Sequence, residues 1–308
     1  MILCVGTTPV YQRSMVFERL RPDEVNRAVS VHDYASGKSV NVARVLHTLG
    51  QPCIATGFVG GDRGAALVRD LEAAGVGSEF VTVEAPTRQC VTVIDRATRS
   101  ATELVEESHP VRDADWSKLY GVIERLLAGA DALVLSGSLP PEAPQDFYLS
   151  CLAGIRRGGM PVVLDTRGEP LRHALRQHGF VVKLNREELA STVGRPLESE
   201  ADVPGAMASV VPRGGAVVVT LGAGGAIAAD GRGAWRVRVP AVETRSAVGS
   251  GDAFSAGLVA GLVRGQSLPE ACAWGAACGA ANAMTDLAGH LSPADVHAIR
   301  AKVEVTPI

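Results

Sequence analysis

Two kinds of apolar pattern alternate along most of the chain. Short apolar runs, such as 132–135, end in glycine-rich or polar turns, which predicts buried strands. Between these runs, apolar residues recur at helical spacing, as Trp116, Leu119, Ile123 and Leu126 do. The repeated order of strand then helix predicts an α/β fold, with a mostly parallel sheet that helices cover on both faces.

The segment 79–107 departs from this order. Three short stretches within it alternate apolar and polar residues, at 80–83, 89–94 and 102–105. Such alternation predicts half-exposed strands. Together with parts of 10–34, they predict a small sheet set apart from the main body. Because both of its faces carry polar residues, this sheet suggests a lid.

Composition argues against several classes of function. The formal net charge is −3 and aromatic residues make up only 4%, which argues against binding to nucleic acid or to an anionic membrane surface. No apolar run is long enough to span a bilayer. The six cysteines, at 4, 53, 90, 151, 272 and 278, form no CxxC pair and lie in apolar contexts. They predict reduced core thiols in a cytoplasmic protein, not a disulfide framework or a zinc site.

The stretch 246–257 joins a glycine turn directly to an apolar helix. Gly249 and Gly251 lack a Cβ atom, so the backbone can bend tightly there and its amide groups can approach a ligand. The first N–H groups of a helix favour anions, and Asp252 stands at this start. One interpretation makes Asp252 the base that accepts the proton of a hydroxyl attacking a phosphoryl group. The other makes it a helix N-cap, and the stretch taken alone favours capping.

Other candidate side chains follow the predicted strands at their carboxyl ends, where open parallel sheets bind ligands. They come after the strands at 132–135, 162–165, 180–184 and 216–220, and at 249–252. Asn185 and Glu188 are spaced to share one face of a helix, and their oxygen atoms suit Mg²⁺ held mainly through water and phosphate. The alternative is that Glu188 only complements the helix dipole.

Three further features each admit two interpretations. Lys38 follows a glycine at a helix start and is either placed for an anion or simply solvated. The segment is not a Walker A motif, because His32 stands where that motif needs its first glycine. The turn at 222–225 either cradles phosphates or is a tight connection, and Ile227 stands where a Rossmann fingerprint needs its third glycine. Arg88, at the start of a predicted lid strand, either grips a phosphate or is a surface charge.

Taken together, ordered motifs along nearly the whole chain resemble the PfkB, or ribokinase-like, family of sugar kinases. The matching segments are 36–43, Thr87 with Arg88, 136–140, 183–189, 220–225 and 248–252. The segment 36–43 is similar to the GKGxNVA motif of the branch that contains 1-phosphofructokinase and tagatose-6-phosphate kinase. The resemblance implies a three-layer αβα ribokinase-like fold, formed by one domain over 1–308, with a lid from parts of 10–34 and 88–107.

The resemblance also implies an activity, namely ATP- and Mg²⁺-dependent phosphorylation of a hydroxyl on a small sugar phosphate. Asp252 would be the catalytic base, and the amides of Gly249, Ser250 and Gly251 would form an anion hole. The implied acceptor site consists of Gln12, Gly37, Lys38, Asn41 and Arg88. The implied ATP site consists of Asn185, Thr220, Gly222, Gly225 and Asn282. Asn185 and Glu188 would position Mg²⁺ largely through water.

Three departures from the family pattern put the acceptor in doubt. Thr8 replaces the asparagine of the family's Asn-Pro, Gln12 stands at the place of an aspartate that grips sugar hydroxyls, and Ser39 replaces the second glycine of GKG. A kinase for a free sugar or nucleoside therefore stays open, as does a non-catalytic sensor of a sugar phosphate or nucleotide. The resemblance further implies a cytoplasmic enzyme and a possible homodimer through the lid.

Overall fold

The apolar runs pair into one ten-stranded sheet, which forms the middle layer of the structure. The structure is a computed structural model and describes residues 1–308. The strands are β1 (Ile2–Val5), β2 (Val10–Phe17), β3 (Ser30–Ser36), β4 (Cys53–Thr56), β5 (Phe58–Val59), β6 (Gly77–Ser78), β7 (Val81–Thr82), β8 (Arg88–Asp95), β9 (Ser100–Val105), β10 (Ala132–Ser136), β11 (Val162–Asp165), β12 (Val181–Asn185), β13 (Ala216–Thr220), β14 (Ala226–Asp230), β15 (Gly233–Arg238) and β16 (Glu304–Pro307).

The helices are α1 (Lys38–Thr48), α2 (Gly61–Ala73), α3 (Asp113–Leu127), α4 (Phe147–Ala153), α5 (Glu169–Ala174), α6 (Arg186–Val193), α7 (Val203–Met207), α8 (Ser250–Val263), α9 (Leu268–Ala283) and α10 (Pro293–Arg300). Two 3₁₀ turns lie at Glu200–Asp202 and Gly222–Gly224. No helix is both long enough and apolar enough to cross a bilayer.

The central sheet runs in the order β6, β4, β1, β10, β11, β12, β13, β14, β15, β16. Neighbours from β6 to β13 are parallel, and each later strand is antiparallel to the one before it. Along β1, Ile2 and Cys4 join one buried apolar cluster, while Leu3 and Val5 join the other. Helices α1, α2, α8, α9 and α10 supply the first cluster and α3 to α7 the second, so the sheet lies between two helical layers.

A separate four-stranded sheet, here called the small sheet, has the order β3, β2, β8, β9. Along β2, buried residues such as Gln12 and Ser14 alternate with the partly exposed Arg13. One face, the inner face, therefore lies against the rest of the protein, and the Ser14 hydroxyl donates a hydrogen bond to the Asp286 carbonyl oxygen there. The opposite, outer face is open. This sheet occupies the segments predicted for the lid.

The predicted fold class is confirmed, but several element boundaries differ. The apolar run at 52–59 predicts one strand, but the structure has two, because the chain bends at Gly57, where an added Cβ would lie 1.9 Å from the Gly6 carbonyl oxygen. The pattern at 201–210 predicts one helix, but the structure has a 3₁₀ turn followed by the shorter α7. Strand β16 has no counterpart among the predicted elements, because its four residues are mostly exposed and carry no apolar run.

All six cysteines are free and buried, as the apolar contexts predict. Burial raises the pKa of each thiol, for example that of Cys53 to about 11, so these side chains stay in the protonated form at neutral pH. They contribute to the core and show none of the low-pKa, exposed character of a reactive cysteine.

Glycines let α8 and α9 pack backbone to backbone. A Cβ added at Gly257 of α8 would lie 2.6 Å from the Trp274 carbonyl oxygen of α9. One added at Gly275 of α9 would lie 2.8 Å from the Phe254 carbonyl oxygen of α8 and 3.0 Å from its ring. This close approach fixes the position of α8, and with it the position of the glycine turn at the start of that helix.

We expect Gly275→Ala to lower the free energy of unfolding by about 1–3 kcal/mol, because the new methyl group overpacks the contact with Phe254. Chemical denaturation measures this change. Gly121→Ala is the matched control: Gly121 lies in α3 with no atom near its added Cβ, so alanine there should be neutral or stabilising by ~0.5–1 kcal/mol. Equal effects at the two positions would contradict the packing interpretation.

Candidate active site

Polar side chains meet at the carboxyl ends of the parallel strands, as the motif order predicts. Ser136 at the end of β10 lies beside Asp165 at the end of β11, and Asn185 at the end of β12 lies beside Thr220 at the end of β13. The first turn of α8 reaches the same edge. There, the Ser255 hydroxyl lies 3.4 Å from Asp165 Oδ2. The edge therefore combines residues from four strands and one helix start.

The glycine turn before α8 has a conformation that favours glycine. Gly249 is the N-cap with φ of 79°, in the left-handed region, and an added Cβ would lie 2.7 Å from the Ala288 Cβ. The helix begins at Ser250, so Asp252 is its third residue and no side chain caps this end. The capping interpretation of Asp252 is therefore wrong: Gly249 occupies the cap position, and the Asp252 carboxylate is directed elsewhere.

Asp252 is held by a short chain of hydrogen bonds. Its side chain is 7% exposed, and Asn41 Nδ2 donates to its Oδ2 at 2.7 Å. The Ser36 hydroxyl in turn donates to Asn41 Oδ1 at 2.9 Å, which fixes the orientation of the amide. Burial raises the pKa of Asp252 to about 6, although Lys38 and the Asn41 hydrogen bond oppose the increase. A carboxylate with this pKa can accept a proton near neutral pH.

A partly buried network of four charged groups lies next to Asp252. Lys38 Nζ donates to Asp165 Oδ1 at 2.6 Å and to Glu188 Oε1 at 3.0 Å, while Lys183 Nζ donates to Asp165 Oδ2 at 2.8 Å. Burial alone would raise the pKa of Asp165, but Lys183 and Lys38 outweigh it and hold this pKa at about 2. Asp165 and Glu188 together outweigh desolvation at Lys38 and raise its pKa.

Sequence reasoning placed Asp165 among the candidate positions that follow the strands but gave it no role, and it noted Lys183 only as part of a motif. The signal that could have found Asp165 is an acidic residue that directly follows a buried apolar run. Lys183 has a similar signal, because a lysine within a buried strand needs a buried anion as its partner. Its Nζ atom lies 2.8 Å from the position of a Cβ added at Gly251, so this cation lies close behind the glycine turn.

The two cations predicted for an acceptor phosphate have different partners within the protein. The Lys38 ammonium group is bonded to Asp165 and Glu188. Arg88 Nη2 donates to the Thr8 carbonyl oxygen at 3.2 Å, and its Nη1 donates to the Glu106 carbonyl oxygen at 3.3 Å. Arg88 Nε is buried and has no hydrogen-bond partner. The roles of both residues toward an acceptor stay predictions.

The side chains of Asn185 and Glu188 form a capping box at the start of α6. Asn185 Oδ1 accepts from the Glu188 N–H at 2.7 Å, and Glu188 Oε2 accepts from the Asn185 N–H at 2.9 Å. The other Glu188 oxygen meets the Lys38 ammonium beside Asp165. These hard oxygen donors around one cation fit Mg²⁺ held through water and phosphate. No cluster of three or more His, Cys, Asp or Glu side chains offers a complete cage.

A sequence comparison identifies the family to which this arrangement belongs. Residues 1–294 match the pfkB family of carbohydrate kinases. The chain belongs to the PfkB family. It is a carbohydrate kinase by that membership, and the predicted resemblance is confirmed.

Solved structures agree with the family membership. Phosphofructokinase-2 from Escherichia coli, in a tetrameric inhibited form, is 28% identical with a TM-score of 0.87, over 98% of each chain. The same enzyme in complex with fructose-6-phosphate is 26% identical with a TM-score of 0.84, again over 98% of each chain. A possible 1-phosphofructokinase from Thermotoga maritima is 25% identical with a TM-score of 0.90, over 100% of this chain and 99% of that one.

Within this PfkB chain, the residues predicted for ATP differ in what they contact. Thr220 donates to the Leu184 carbonyl oxygen at 3.3 Å, at the end of β13. The turn with Gly222 and Gly225 connects the antiparallel strands β13 and β14; Gly222 has φ of 58°, and a Cβ added at Gly225 would lie 2.1 Å from the Val237 carbonyl oxygen. The geometry thus requires glycine for a tight hairpin, and phosphate binding by this turn stays a prediction.

Asn282 is buried within α9 and holds the glycine turn before α8 in place. Its Nδ2 donates to the Val248 carbonyl oxygen at 2.9 Å, and its Oδ1 accepts from the Gly289 N–H at 2.8 Å. These bonds tie the loop after α9 to the turn before α8. Asn282 therefore supports the Gly249 turn, and contact with ATP stays a prediction.

The altered residues at the acceptor side are accommodated by neighbouring residues. A Cβ added at Gly6 would lie 2.3 Å from Ser39 Oγ, so a glycine at position 6 leaves the space that Ser39 occupies. Gly37 has φ of 104° and lies close to Pro9. Gln12 is 3% exposed on the inner face of the small sheet, where its Nε2 donates to Thr92 Oγ1 at 2.9 Å.

We expect Asp252→Asn to stabilise the protein at high pH. The folded-state pKa of about 6 exceeds the ordinary value of 3.8, so ionisation of this carboxyl group destabilises the folded state. The effect is complete above about pH 6 and absent below about pH 4. The variant should gain about 3 kcal/mol in unfolding free energy at pH 8 and nothing at pH 3.5. Denaturant titrations at the two pH values measure this difference.

Asp165→Asn is the matched comparison and should behave in the opposite way. The Asp165 pKa is lowered to about 2, so this carboxylate stabilises the fold above about pH 4, and that stability is lost as the pH falls through about 2. The variant should therefore be less stable than the wild type at neutral pH. A loss of stability in both variants at pH 8 would contradict the assignment for Asp252.

Proposed function

We propose that this carbohydrate kinase transfers the γ-phosphoryl group of ATP to a hydroxyl group of a small sugar phosphate. The observation that carries the proposal is the position of Asp252. Its carboxylate is buried at the first turn of α8, oriented by Asn41 and next to a glycine turn, with a pKa raised to about 6. Burying a carboxylate in this way lowers the stability of the fold, and groups with pKa values shifted in this way are common at functional sites.

In the proposed reaction, Asp252 accepts the proton of the acceptor hydroxyl as its oxygen attacks the γ-phosphorus. The new O–P bond forms as the bond from phosphorus to the ADP oxygen breaks, and ADP leaves with that electron pair. The amides of Gly249, Ser250 and Gly251 face the charge that develops on the transferring group. The buried Lys183 ammonium behind Gly251 adds a positive charge to the same place.

ATP and Mg²⁺ would bind at the carboxyl ends of β12 and β13. Asn185, Thr220, Gly222 and Gly225 would line the nucleotide, with Asn282 supporting the turn beside it. Glu188 and Asn185 would hold the metal largely through water, and Mg²⁺ supplies neutralisation of phosphate charge when it is bound. The carboxylates next to Lys38 support this proposal, because they already balance a cation.

Two observations favour a phosphorylated acceptor. Arg88 keeps a buried Nε without a partner on the inner face of the small sheet, which leaves it a donor for a phosphate oxygen. The similar Escherichia coli phosphofructokinase-2 forms a complex with fructose-6-phosphate. For a ketohexose monophosphate acceptor, the product would be a bisphosphate. Gly37, Lys38 and Asn41 would complete the acceptor site, which the small sheet covers as a lid.

A free sugar or nucleoside as the acceptor is the second candidate. The Lys38 ammonium is already bonded to two carboxylates, which favours an acceptor that does not need it. The two candidates share the phosphoryl-transfer residues and differ only in the cations that hold the acceptor.

We expect Asp252→Asn to abolish turnover, with kcat falling by about 10²–10⁴-fold, because the variant has no base at this position. A coupled ADP-release assay over a panel of sugars and sugar phosphates measures turnover, and calorimetry should show that ATP binding persists. In the wild type, kcat/KM should rise with pH through about 6 as Asp252 ionises. Full activity of the variant would refute this base, and wild-type protein that binds ligands but phosphorylates nothing would indicate a sensor.

Arg88→Ala distinguishes the two acceptor classes. If the acceptor carries a phosphate, this variant should lower kcat/KM for it by about 10–100-fold, as expected for a charged hydrogen bond, and should affect a free sugar far less. Arg13→Ala is the control, since Arg13 lies on the outer face of the small sheet in a pair with Asp33. Similar losses with both kinds of acceptor would count against the sugar phosphate.

A cytoplasmic location and pairing of two copies through the lid stay predictions. Val31 and Leu104 are exposed on the outer face of the small sheet, which supports such pairing. Sedimentation velocity measures the mass in solution, and a monomer at all concentrations would exclude it.

A further inference from the structure

The inner face of the small sheet carries few charges where it covers the proposed acceptor site. In its two central strands, β2 and β8, the inner residues are Val10, Gln12, Ser14, Val16, Arg88, Cys90, Thr92 and Ile94. Arg88 is the one charged member, at the end nearest the core. Glu103 of the edge strand β9 pairs in register with Thr92 and belongs to the same face. Partial burial raises the pKa of Glu103, and the Arg88 guanidinium opposes this increase. The two central strands therefore present neutral side chains beyond Arg88, with one carboxylate beside them on the edge strand.

Gln12 and Thr92 are paired on this face. Gln12 Nε2 donates to Thr92 Oγ1 at 2.9 Å, and the two residues are 3% and 2% exposed. Their strands are parallel, and Gln12 lies in register with Cys90, so Thr92 is the next inner residue of β8. The bond links two polar side chains on the face that covers the proposed site.

A chain of contacts connects Gln12 to the catalytic base. Val10 pairs in register with Ser36, whose hydroxyl orients Asn41, and Asn41 donates to Asp252. Gln12 is the next inner residue along β2 and lies about 7 Å beyond Val10 along the strand. An acceptor with one hydroxyl at Asp252 therefore extends toward Gln12 when it lies along β2.

The Gln12–Thr92 pair follows the same logic as the Asn41–Ser36 pair. Ser36 donates to the oxygen of the Asn41 amide, so the nitrogen of that amide faces Asp252. Thr92 accepts from the nitrogen of the Gln12 amide, so the carbonyl oxygen of that amide remains to accept a hydrogen bond. In each pair, a hydrogen bond to a hydroxyl restrains the orientation of an amide beside the site.

We propose that Thr92 is a positioning residue for acceptor recognition, which holds the Gln12 amide toward a hydroxyl group of the acceptor. The proposal rests on the proposed function, because it concerns the acceptor of the same reaction. An amide held in this way can accept from a hydroxyl through its oxygen. The enzyme should therefore discriminate against an analogue that lacks this hydroxyl.

The test replaces Thr92 by valine, which has nearly the same shape and lacks the hydroxyl group. Without ligand, the Gln12 side-chain NH₂ signals in ¹⁵N NMR spectra should shift and exchange faster with water. In steady-state kinetics, the KM for the acceptor should rise about two- to tenfold, as for one neutral hydrogen bond, with kcat and the KM for ATP within about twofold of wild type. Thr92→Ser should restore both properties.

Two controls separate positioning from a structural effect. Thr102→Val removes a hydroxyl from the outer face of β9 and should change neither measurement. In a Gln12→Ala background, Thr92→Val should raise the KM for the acceptor no further, because Thr92 acts through Gln12. Additive effects of the two substitutions overturn the proposal, as do losses that affect the KM for ATP equally.

The NMR measurement keeps this proposal distinct from the proposed function. If the wild type phosphorylates no sugar phosphate, the proposed function fails, while a shift of the Gln12 signals in Thr92→Val still supports the positioning by Thr92. If the wild type is active and the Gln12 signals and the KM for the acceptor are unchanged in Thr92→Val, the positioning by Thr92 is overturned and the proposed function stands.

Discussion

The burial of one carboxylate at the start of a helix is the constraint on which this site depends. Asp252 can lie there because Gly249 adopts a left-handed conformation, and because glycines let α8 approach α9 closely. Burial removes the water molecules that would hydrogen-bond the ionised carboxylate, and Asn41 supplies one hydrogen bond in their place. The balance leaves a pKa of about 6, high enough for a base and low enough for ionisation at neutral pH.

The same site holds a second buried carboxylate, whose pKa is shifted in the opposite direction. Asp165 is as deeply buried as Asp252, but the ammonium groups of Lys38 and Lys183 both contact it, and its pKa is about 2. Two acidic groups with separated pKa values can hold different tasks, one as a fixed charge and one as a proton acceptor. The negative charge of Asp165 also contributes to the raised pKa of Asp252, so the two assignments support each other.

The sequence was sufficient for the layers and for the general location of the site, because both follow from local patterns. Apolar runs predict the buried strands, and the polar residues that follow them must share one edge of a parallel sheet. The contacts between the charged groups could not be predicted in this way. Lys38 and Asp165 lie 127 residues apart, and no local pattern pairs them. Asp252 lies inside the first turn of α8 rather than at its start, because the helix begins at Ser250, two residues earlier than predicted. Gly249 determines this start because it is the N-cap.

The residues that depart from the family pattern bear on whether this chain is an enzyme or a sensor. A site that had lost its function would be expected to accumulate changes without partners. Here Ser39 fits the space left by Gly6, and Gln12 is hydrogen bonded to Thr92, 80 residues away in the chain. The glycine turn, Asp252 and Asn41 form a complete set of contacts in the same structure. These contacts favour the proposed kinase over a sensor, because the departing residues have partners and the residues proposed for phosphoryl transfer are held in place.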